Sequence, residues 1–166
     1  MLVNTILNTI KKFLIAIFFI ASLPQTVFAD DAVAKVVYHA DFSEPKRFSA
    51  MLQNVFNMTT TYENDLMDYD IRIVLLSKGI RFVTRDNLKG TPFEADKEFV
   101  KQREDFIKRL ASLQEIRGVK LELCAITQKM VGLDKSALIP GVKLVTSGVV
   151  QIANLQSKGF AYLKVE

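Results

Sequence analysis

The chain contains a single cysteine, Cys124, which lies within the run Val119–Thr127. The run opens after Gly118, alternates as a strand does, and leads into residues 125–131, which suit a short helix. A thiol at the carboxyl end of a strand lies at the usual ligand-binding edge of an open α/β sheet. A helix that starts at Ala125 would favour the thiolate, the form of cysteine that attacks sulfur and disulfides. This stretch therefore predicts a candidate reactive thiol.

The pattern of the strand bears on how Cys124 is used. A free cysteine is most often a small buried hydrophobe, so a structural role stays open. Lys120 and Glu122 alternate with apolar residues, and a period of two places Cys124 on the polar side. A strand buried on both faces should be apolar throughout. Lys120 and Glu122 therefore predict an edge strand, or a face that meets another subunit.

The single histidine, His39, ends a predicted strand over Lys35–His39 and should open onto the same edge of the sheet as Cys124. It is a candidate for orienting a substrate or for sharing a proton with the thiol. The alternative is a histidine that is hydrogen-bonded into the following loop. Asp41 and Ser77 follow strands at the same edge, with weaker chemistry.

Several classes of site are excluded by composition. One cysteine and one histidine cannot form a structural zinc site within one chain, so no metal is expected. No glycine lies in residues 40–43 after the first strand, which disfavours a dinucleotide or phosphate-loop cofactor. The net charge is +4, and removing Lys11 and Lys12 leaves about +2 for the rest of the chain. That charge is too small to indicate a nucleic-acid partner.

The first 29 residues have the pattern of a cleavable secretory signal peptide. Lys11 and Lys12 precede the apolar run Phe13–Leu23, and Val27 and Ala29 occupy the positions that signal peptidase reads. The alternative, a retained signal anchor, needs roughly 20 apolar residues, which this run does not reach. We predict a cut after Ala29, with a cut after Ala34 as the alternative. We also predict a periplasmic or secreted protein, a single domain over residues 30–166 and no stable membrane insertion after cleavage.

Export limits the state of the lone cysteine. Outside the cytosol a single cysteine cannot form an intramolecular disulfide. Cys124 is then a buried thiol, an intermolecular bridge or a reactive group.

The order of elements predicts the fold class. A helix should begin near Ser43 as N-cap, a long one should cover residues 94–116 and end at Gly118, and another should follow Ser147 with Val149 and Val150 facing inward. Residues 80–83 fit either a short helix or a strand. Predicted strands cover residues 35–39, 70–76, 119–124, 142–146 and 160–165. Strands that alternate with helices predict a three-layer α/β/α sandwich around a mainly parallel sheet of about five strands.

The chain resembles the DsrE/DsrF-like family. The resemblance rests on Lys35–His39, Lys46–Leu52, Gly118–Cys124 and Leu155–Tyr162. It implies the same sandwich, with flavodoxin- or Rossmann-type layering, assembled into homo-oligomers such as trimers or hexamers. It also implies sulfur relay, in which a cysteine carries sulfane sulfur as a persulfide between donor and acceptor proteins. Cys124 matches the cysteine of the small single-domain members.

One position departs from that family pattern. Members often have asparagine two residues after the cysteine, whereas this chain has Ile126.

These observations give one leading hypothesis and two alternatives. The leading one is an exported sulfur carrier, resembling a sulfurtransferase component, in which Cys124 is the persulfide nucleophile and His39 assists. The first alternative is a non-catalytic oligomeric binding or assembly module whose cysteine is structural. The second is a redox-sensing thiol that forms a sulfenic acid or a mixed disulfide.

Overall fold

The computed structural model describes residues 33–166, which form one parallel sheet with helices on both faces. The strands are β1 (Ala34–Ala40), β2 (Tyr69–Leu75), β3 (Lys120–Cys124), β4 (Lys143–Val145) and β5 (Ala161–Leu163). The α-helices are α1 (Pro45–Asn64), α2 (Lys97–Arg117), α3 (Ala125–Met130) and α4 (Gly148–Ser157). Two 3₁₀ helices cover Ser77–Val83 and Lys135–Ala137.

The strand order is β4-β3-β2-β1-β5, and every neighbouring pair runs parallel. Helices α1 and α2 pack on one face of the sheet, and α4 packs Ile152 and Leu155 against Val37 and Val74 on the other. The predicted three-layer sandwich with about five strands is therefore confirmed.

The position of β3 corrects one prediction. We expected an edge strand, or a face that meets another subunit, because Lys120 and Glu122 interrupt its apolar pattern. The edge strand is wrong, since β3 lies between β2 and β4. Glu122 is only 2% exposed. Its carboxylate is compensated by a hydrogen-bonded arginine, Arg72 of β2, at 3.0 Å. A buried charge with a distant partner produces the same local pattern as a solvent-exposed edge.

The larger core lies between the sheet and helices α1 and α2. Its centre is a group of aromatic rings. Phe48 of α1 stacks on Phe82 with ring centroids 3.7 Å apart and an angle of 5° between the planes. Phe106 of α2 meets both rings edge-on, and Phe99 meets Phe82 edge-on. Large rings in these stacked and edge-to-face arrangements supply much of the apolar area that fixes the two helices on the sheet.

Local signals set the helix ends, with small shifts from prediction. Helix α1 begins at Pro45 after Glu44 rather than directly after Ser43. Helix α2 begins at Lys97, because the Asp96 side chain accepts a hydrogen bond from the Phe99 N–H and so caps the first turn. Gly118 ends α2 with φ of 63°, as predicted for a C-cap glycine.

The segment that fitted either a helix or a strand forms part of a 3₁₀ helix, Ser77–Val83. Gly79 in this segment packs directly on the end of β1. A Cβ atom at Gly79 would lie 2.1 Å from the carbonyl oxygen of Ala40. Only glycine allows this approach, which seats the 3₁₀ helix and Phe82 against the sheet.

The predicted signal peptide, residues 1–29, lies outside the described residues. Within residues 33–166, no helix combines the length and apolar character needed to cross a membrane.

Candidate functional site

Cys124 is the last residue of β3 and the N-cap of α3. It shares a face of the sheet with Glu122, as the period of two predicted, but that face is covered by α4 and Cys124 is only 5% exposed. The cover is close. A Cβ atom at Gly148, the first residue of α4, would lie 3.1 Å from Cys124 Cβ. The thiol is therefore held in a narrow space under the start of α4.

Polar groups around the sulfur change the pKa of Cys124. Burial alone would raise it, but the backbone N–H groups of Gly148, Thr127 and Ile126 and the Thr127 hydroxyl outweigh burial, and the pKa is lowered. The Sγ atom makes no capping hydrogen bond to α3, so the nearby N–H groups of α3 act through their dipoles. The thiolate, which is the nucleophilic form, is favoured relative to an ordinary cysteine.

Thr127 links the cysteine to the end of β2. It is 5% exposed, and its Oγ1 accepts a hydrogen bond of 3.0 Å from the Ser77 N–H. With Oγ1 already accepting, its own hydroxyl hydrogen is free to point toward the sulfur. Ser77 thus lies at the predicted edge beside the cysteine, although it takes part through its backbone rather than its hydroxyl.

Exposed apolar side chains lie on residues next to this site in the sequence. Ile126 is 55% exposed, so only its backbone faces Cys124. The prediction that Val149 and Val150 face inward is wrong, since they are 66% and 55% exposed. Helix α4 starts at Gly148, and the buried side of the helix follows that residue at intervals of four and seven.

The structure does not bring His39 to Cys124. His39 is the last residue but one of β1, and Cys124 is the last residue of β3. Strand β2 lies between β1 and β3, so the two strands are about 10 Å apart in total. His39 Nδ1 is 2.8 Å from the hydroxyl oxygen of Tyr162, and Nε2 is 3.7 Å from an Asp41 carboxylate oxygen. Asp41 also binds Lys164 at 3.1 Å. His39 and Asp41 form a separate cluster at the β1–β5 side of the sheet.

The burial of His39 predicts a pH dependence of stability. Burial lowers the pKa of His39 below its ordinary value of 6.5; Asp41 opposes this, and Lys164 and Arg47 add to it. The unfolded chain then binds the proton more readily, so stability should fall as pH drops below 6.5 and be fully regained above it. Urea unfolding between about pH 5.5 and 7.5 should show that the free energy of unfolding rises with pH in the wild type. The part of this rise that comes from His39 should be absent in His39→Gln. Identical pH slopes for the two proteins would contradict the prediction.

Sequence reasoning missed two residues of the Cys124 site. Thr127 stands three residues after Cys124, the N-cap of α3. A hydroxyl at this spacing can reach back to the first turn of the helix, so the spacing was a signal that the sequence offered. Gln151 donates a hydrogen bond of 2.7 Å to Glu122, and no local pattern indicates that contact.

No metal site is formed within residues 33–166: three or more His, Cys, Asp or Glu side chains nowhere converge there in a way that would hold an ion. The group in the Cys124 site that could do chemistry is its thiol, whose pKa is lowered by the surrounding N–H groups and the Thr127 hydroxyl.

The chain is thus an α/β domain with a thiol at the carboxyl end of an inner parallel strand. The model of the DsrE/DsrF-like family matches residues 31–165, and the chain belongs to that family. A search of curated proteins found no match.

Two solved structures are similar to the chain. One is a protein of unknown function, MTH1491 from Methanobacterium thermoautotrophicum, with 27% identity and a TM-score of 0.61. That match covers 79% of this chain and 98% of the other. The second is the ychN protein from E. coli, with 18% identity, a TM-score of 0.48, and coverage of 80% and 99%. The first match has the same α/β fold.

Proposed function

We propose that the protein is a sulfur carrier that holds sulfane sulfur on Cys124 as a persulfide. The observation that carries the proposal is the setting of this thiol in a DsrE/DsrF-like domain: it ends an inner strand, and surrounding N–H groups and a hydroxyl lower its pKa. A lowered pKa raises the thiolate fraction at neutral pH, which is what attack on sulfur requires.

The transfer proceeds in two balanced displacements. The Cys124 thiolate attacks the outer sulfur of a donor persulfide, R–S–SH. The new S–S bond forms as the donor's S–S bond breaks, and R–S⁻ leaves while the proton stays on the transferred sulfur. An acceptor thiolate then attacks that outer sulfur and releases the Cys124 thiolate. The sulfur is handed on at the same oxidation level, so no external oxidant or reductant is needed.

The narrowness of the site fits a small cargo. Only 5% of Cys124 is exposed, so the end of a sulfur chain, rather than a bulky group, is the part of the donor that reaches it. The N–H groups that favour the thiolate would also favour a persulfide anion one atom further out. His39 is given no step in this scheme, because its contacts are with Tyr162 and Asp41.

Intact-mass measurement after incubation with inorganic polysulfide tests the proposal. The wild type should gain the mass of one sulfur atom and lose it when an acceptor thiol is added. Cys124→Ser should gain nothing, because the chain has no other cysteine. The absence of a single-sulfur adduct on the wild type, or the same adduct on Cys124→Ser, would overturn the proposal.

The same thiol supports a second candidate, an oligomeric binding or assembly module without turnover. The observation in its favour is burial: Cys124 packs against Gly148 as a small core residue does. In that case the folded protein resists alkylation of Cys124 at neutral pH, and Cys124→Ala lowers stability without loss of any binding. Rapid alkylation of the folded wild type excludes this candidate.

The proposal includes partner proteins as donor and acceptor, and a homo-oligomer, a trimer or hexamer. Apolar side chains beside the site support contact with protein: Ile126, Met130, Val149 and Val150 are each more than half exposed. Light scattering on the purified protein tests the oligomer, and a monomeric mass at micromolar concentration would contradict it.

The proposal also places the carrier outside the cytosol, on the strength of the pattern in residues 1–29. The mass of the protein recovered from the periplasm or medium should correspond to a chain that begins at Asp30. Recovery of only the full-length chain from the cytosol would contradict export.

A further inference from the structure

Glu122 is a buried carboxylate that joins helix α4 to the sheet. It is 2% exposed. One of its oxygens accepts a hydrogen bond of 3.0 Å from Arg72, and the other accepts one of 2.7 Å from the Gln151 side chain of α4. A buried carboxylate is costly unless it is paired and hydrogen-bonded, and here both oxygens are satisfied. The Glu122–Gln151 bond is thus a directional link between β3 and α4, which otherwise meet through apolar contacts.

The spacing of the residues places this link one step from the thiol. Glu122 and Cys124 are two residues apart in β3 and so lie on one face of the strand. Gly148 and Gln151 are three residues apart in α4 and so lie on one side of the helix. The helix therefore meets the strand at two successive points, Gln151 on Glu122 and Gly148 on Cys124.

Gly148 lies so close to Cys124 that a small movement of the first turn of α4 would change this contact. Its Cα carries no side chain, and a Cβ atom there would lie 3.1 Å from Cys124 and 3.2 Å from Leu76. The buried apolar residues of α4 beyond its first turn, Ile152 and Leu155, hold the middle and end of the helix but not its start. At the start, the Ser147 side chain caps the helix, and the Gln151 side chain adds the hydrogen bond that joins the first turn to the sheet.

We propose that Glu122 and Gln151 are positioning residues, which hold the first turn of α4 over Cys124 so that the Gly148 N–H stays directed at the sulfur. The consequence for sulfur transfer rests on the proposed function; the positioning itself does not. Without the Glu122–Gln151 bond the helix remains docked through Ile152 and Leu155, but its first turn moves away from the thiol. The thiolate then loses the strongest of its favourable neighbours, since Gly148 is the leading group that lowers its pKa.

Few charges face Cys124 apart from Glu122. The first turn of α4 is Gly-Val-Val-Gln and carries no acidic or basic residue. Helix α3 has no acidic residue in its first turn, and its Lys129 lies in the last turn and is exposed. A substitution of Glu122 would have two opposite effects on the pKa of Cys124. Removing the negative charge would lower the pKa, whereas losing the positioning contact would raise it. The test therefore uses Gln151, which is uncharged.

The experiment compares Gln151→Met with Gln156→Met. Methionine keeps the length of glutamine and removes the N–H donor. Gln156 lies on the same helix but is exposed, so it makes a matched control. The pKa of Cys124 is read from the ultraviolet absorbance of its thiolate against pH, with Cys124→Ser as baseline. The chain has no second cysteine to interfere.

In Gln151→Met the pKa of Cys124 should rise by about half to one unit, and alkylation at pH 7 should slow about three- to tenfold, since a hydrogen bond to a charged group is weakened. Gln156→Met should match the wild type in both measurements. An unchanged thiol pKa in Gln151→Met would overturn the proposal. Global unfolding of that variant would overturn it as well, because the contact would then support the whole fold rather than the site.

The two experiments distinguish a failure of the positioning proposal from a failure of the proposed sulfur transfer. A raised pKa in Gln151→Met together with no persulfide on the wild type keeps the positioning role and removes sulfur transfer. An unchanged pKa together with a normal persulfide does the reverse.

Discussion

Replacing Phe82 with alanine should lower the free energy of unfolding by about 3–5 kcal/mol, the range for deleting a buried phenylalanine ring. Phe82 is 0% exposed and contacts Phe42, Phe48, Phe99 and Phe106. These neighbours belong to the loop after β1, to α1 and to α2, so no single element can move to fill the cavity.

Chemical denaturation followed by circular dichroism measures this effect, because the chain has no tryptophan whose fluorescence could be followed. Phe56→Ala is a matched control, because Phe56 is 43% exposed and contacts Arg117 at the surface. The control should lose about 1 kcal/mol or less. A loss in Phe82→Ala no larger than that in Phe56→Ala would show that the aromatic group is not the centre of the core.

Arg72→Met should cost a similar amount, about 3–5 kcal/mol, because it leaves the Glu122 carboxylate buried without its cationic partner. The side chain of Glu122 is 3% exposed and that of Arg72 is 22% exposed. Arg72 also holds Asp70 at 2.8 Å, but Asp70 keeps Lys120 at 3.0 Å when the arginine is removed. The loss should therefore come mainly from Glu122.

Two further variants separate this cause from a general effect of losing an arginine. Arg85→Met removes one member of an exposed pair with Glu104, and its effect should be far smaller. The double variant Arg72→Met/Glu122→Leu should recover most of the lost stability, since replacing both members of a buried pair by apolar residues is often nearly neutral. No recovery in the double variant would mean that Arg72 acts through packing on Phe160 instead.

The fold class was predictable because its signals are local. The strand before Cys124, the helix stop at Gly118 and the alternation of strands with helices all follow from neighbouring residues. The misread strand shows where such reasoning ends. Glu122 has its partner 50 residues away in β2, and an alternation of charged and apolar residues does not distinguish water from a buried arginine.

The candidate site was predictable in part for the same reason. The place of Cys124 at a strand end followed from the sequence, but the groups that surround its sulfur come from α3 and α4, and only the first of these is adjacent in the chain. The separation of His39 from Cys124 depends on strand order, since β2 lies between β1 and β3. Strand order is set by tertiary packing, which no single stretch of sequence encodes.

The pairing of β5 with β1 has a consequence for how the chain folds. Val36 of β1 pairs with Ala161 of β5, so these two neighbouring strands lie far apart in the sequence, near opposite ends of the domain. Strands β1 to β4 each pair with the next strand in the sequence, so they can assemble during synthesis. Strand β5 can pair with β1 only after all the other strands have been made. Closing such a long loop is an entropic cost that slows folding. Until β5 arrives, β1 is an unpaired edge, and the incomplete sheet is the form of this protein most exposed to association with other chains.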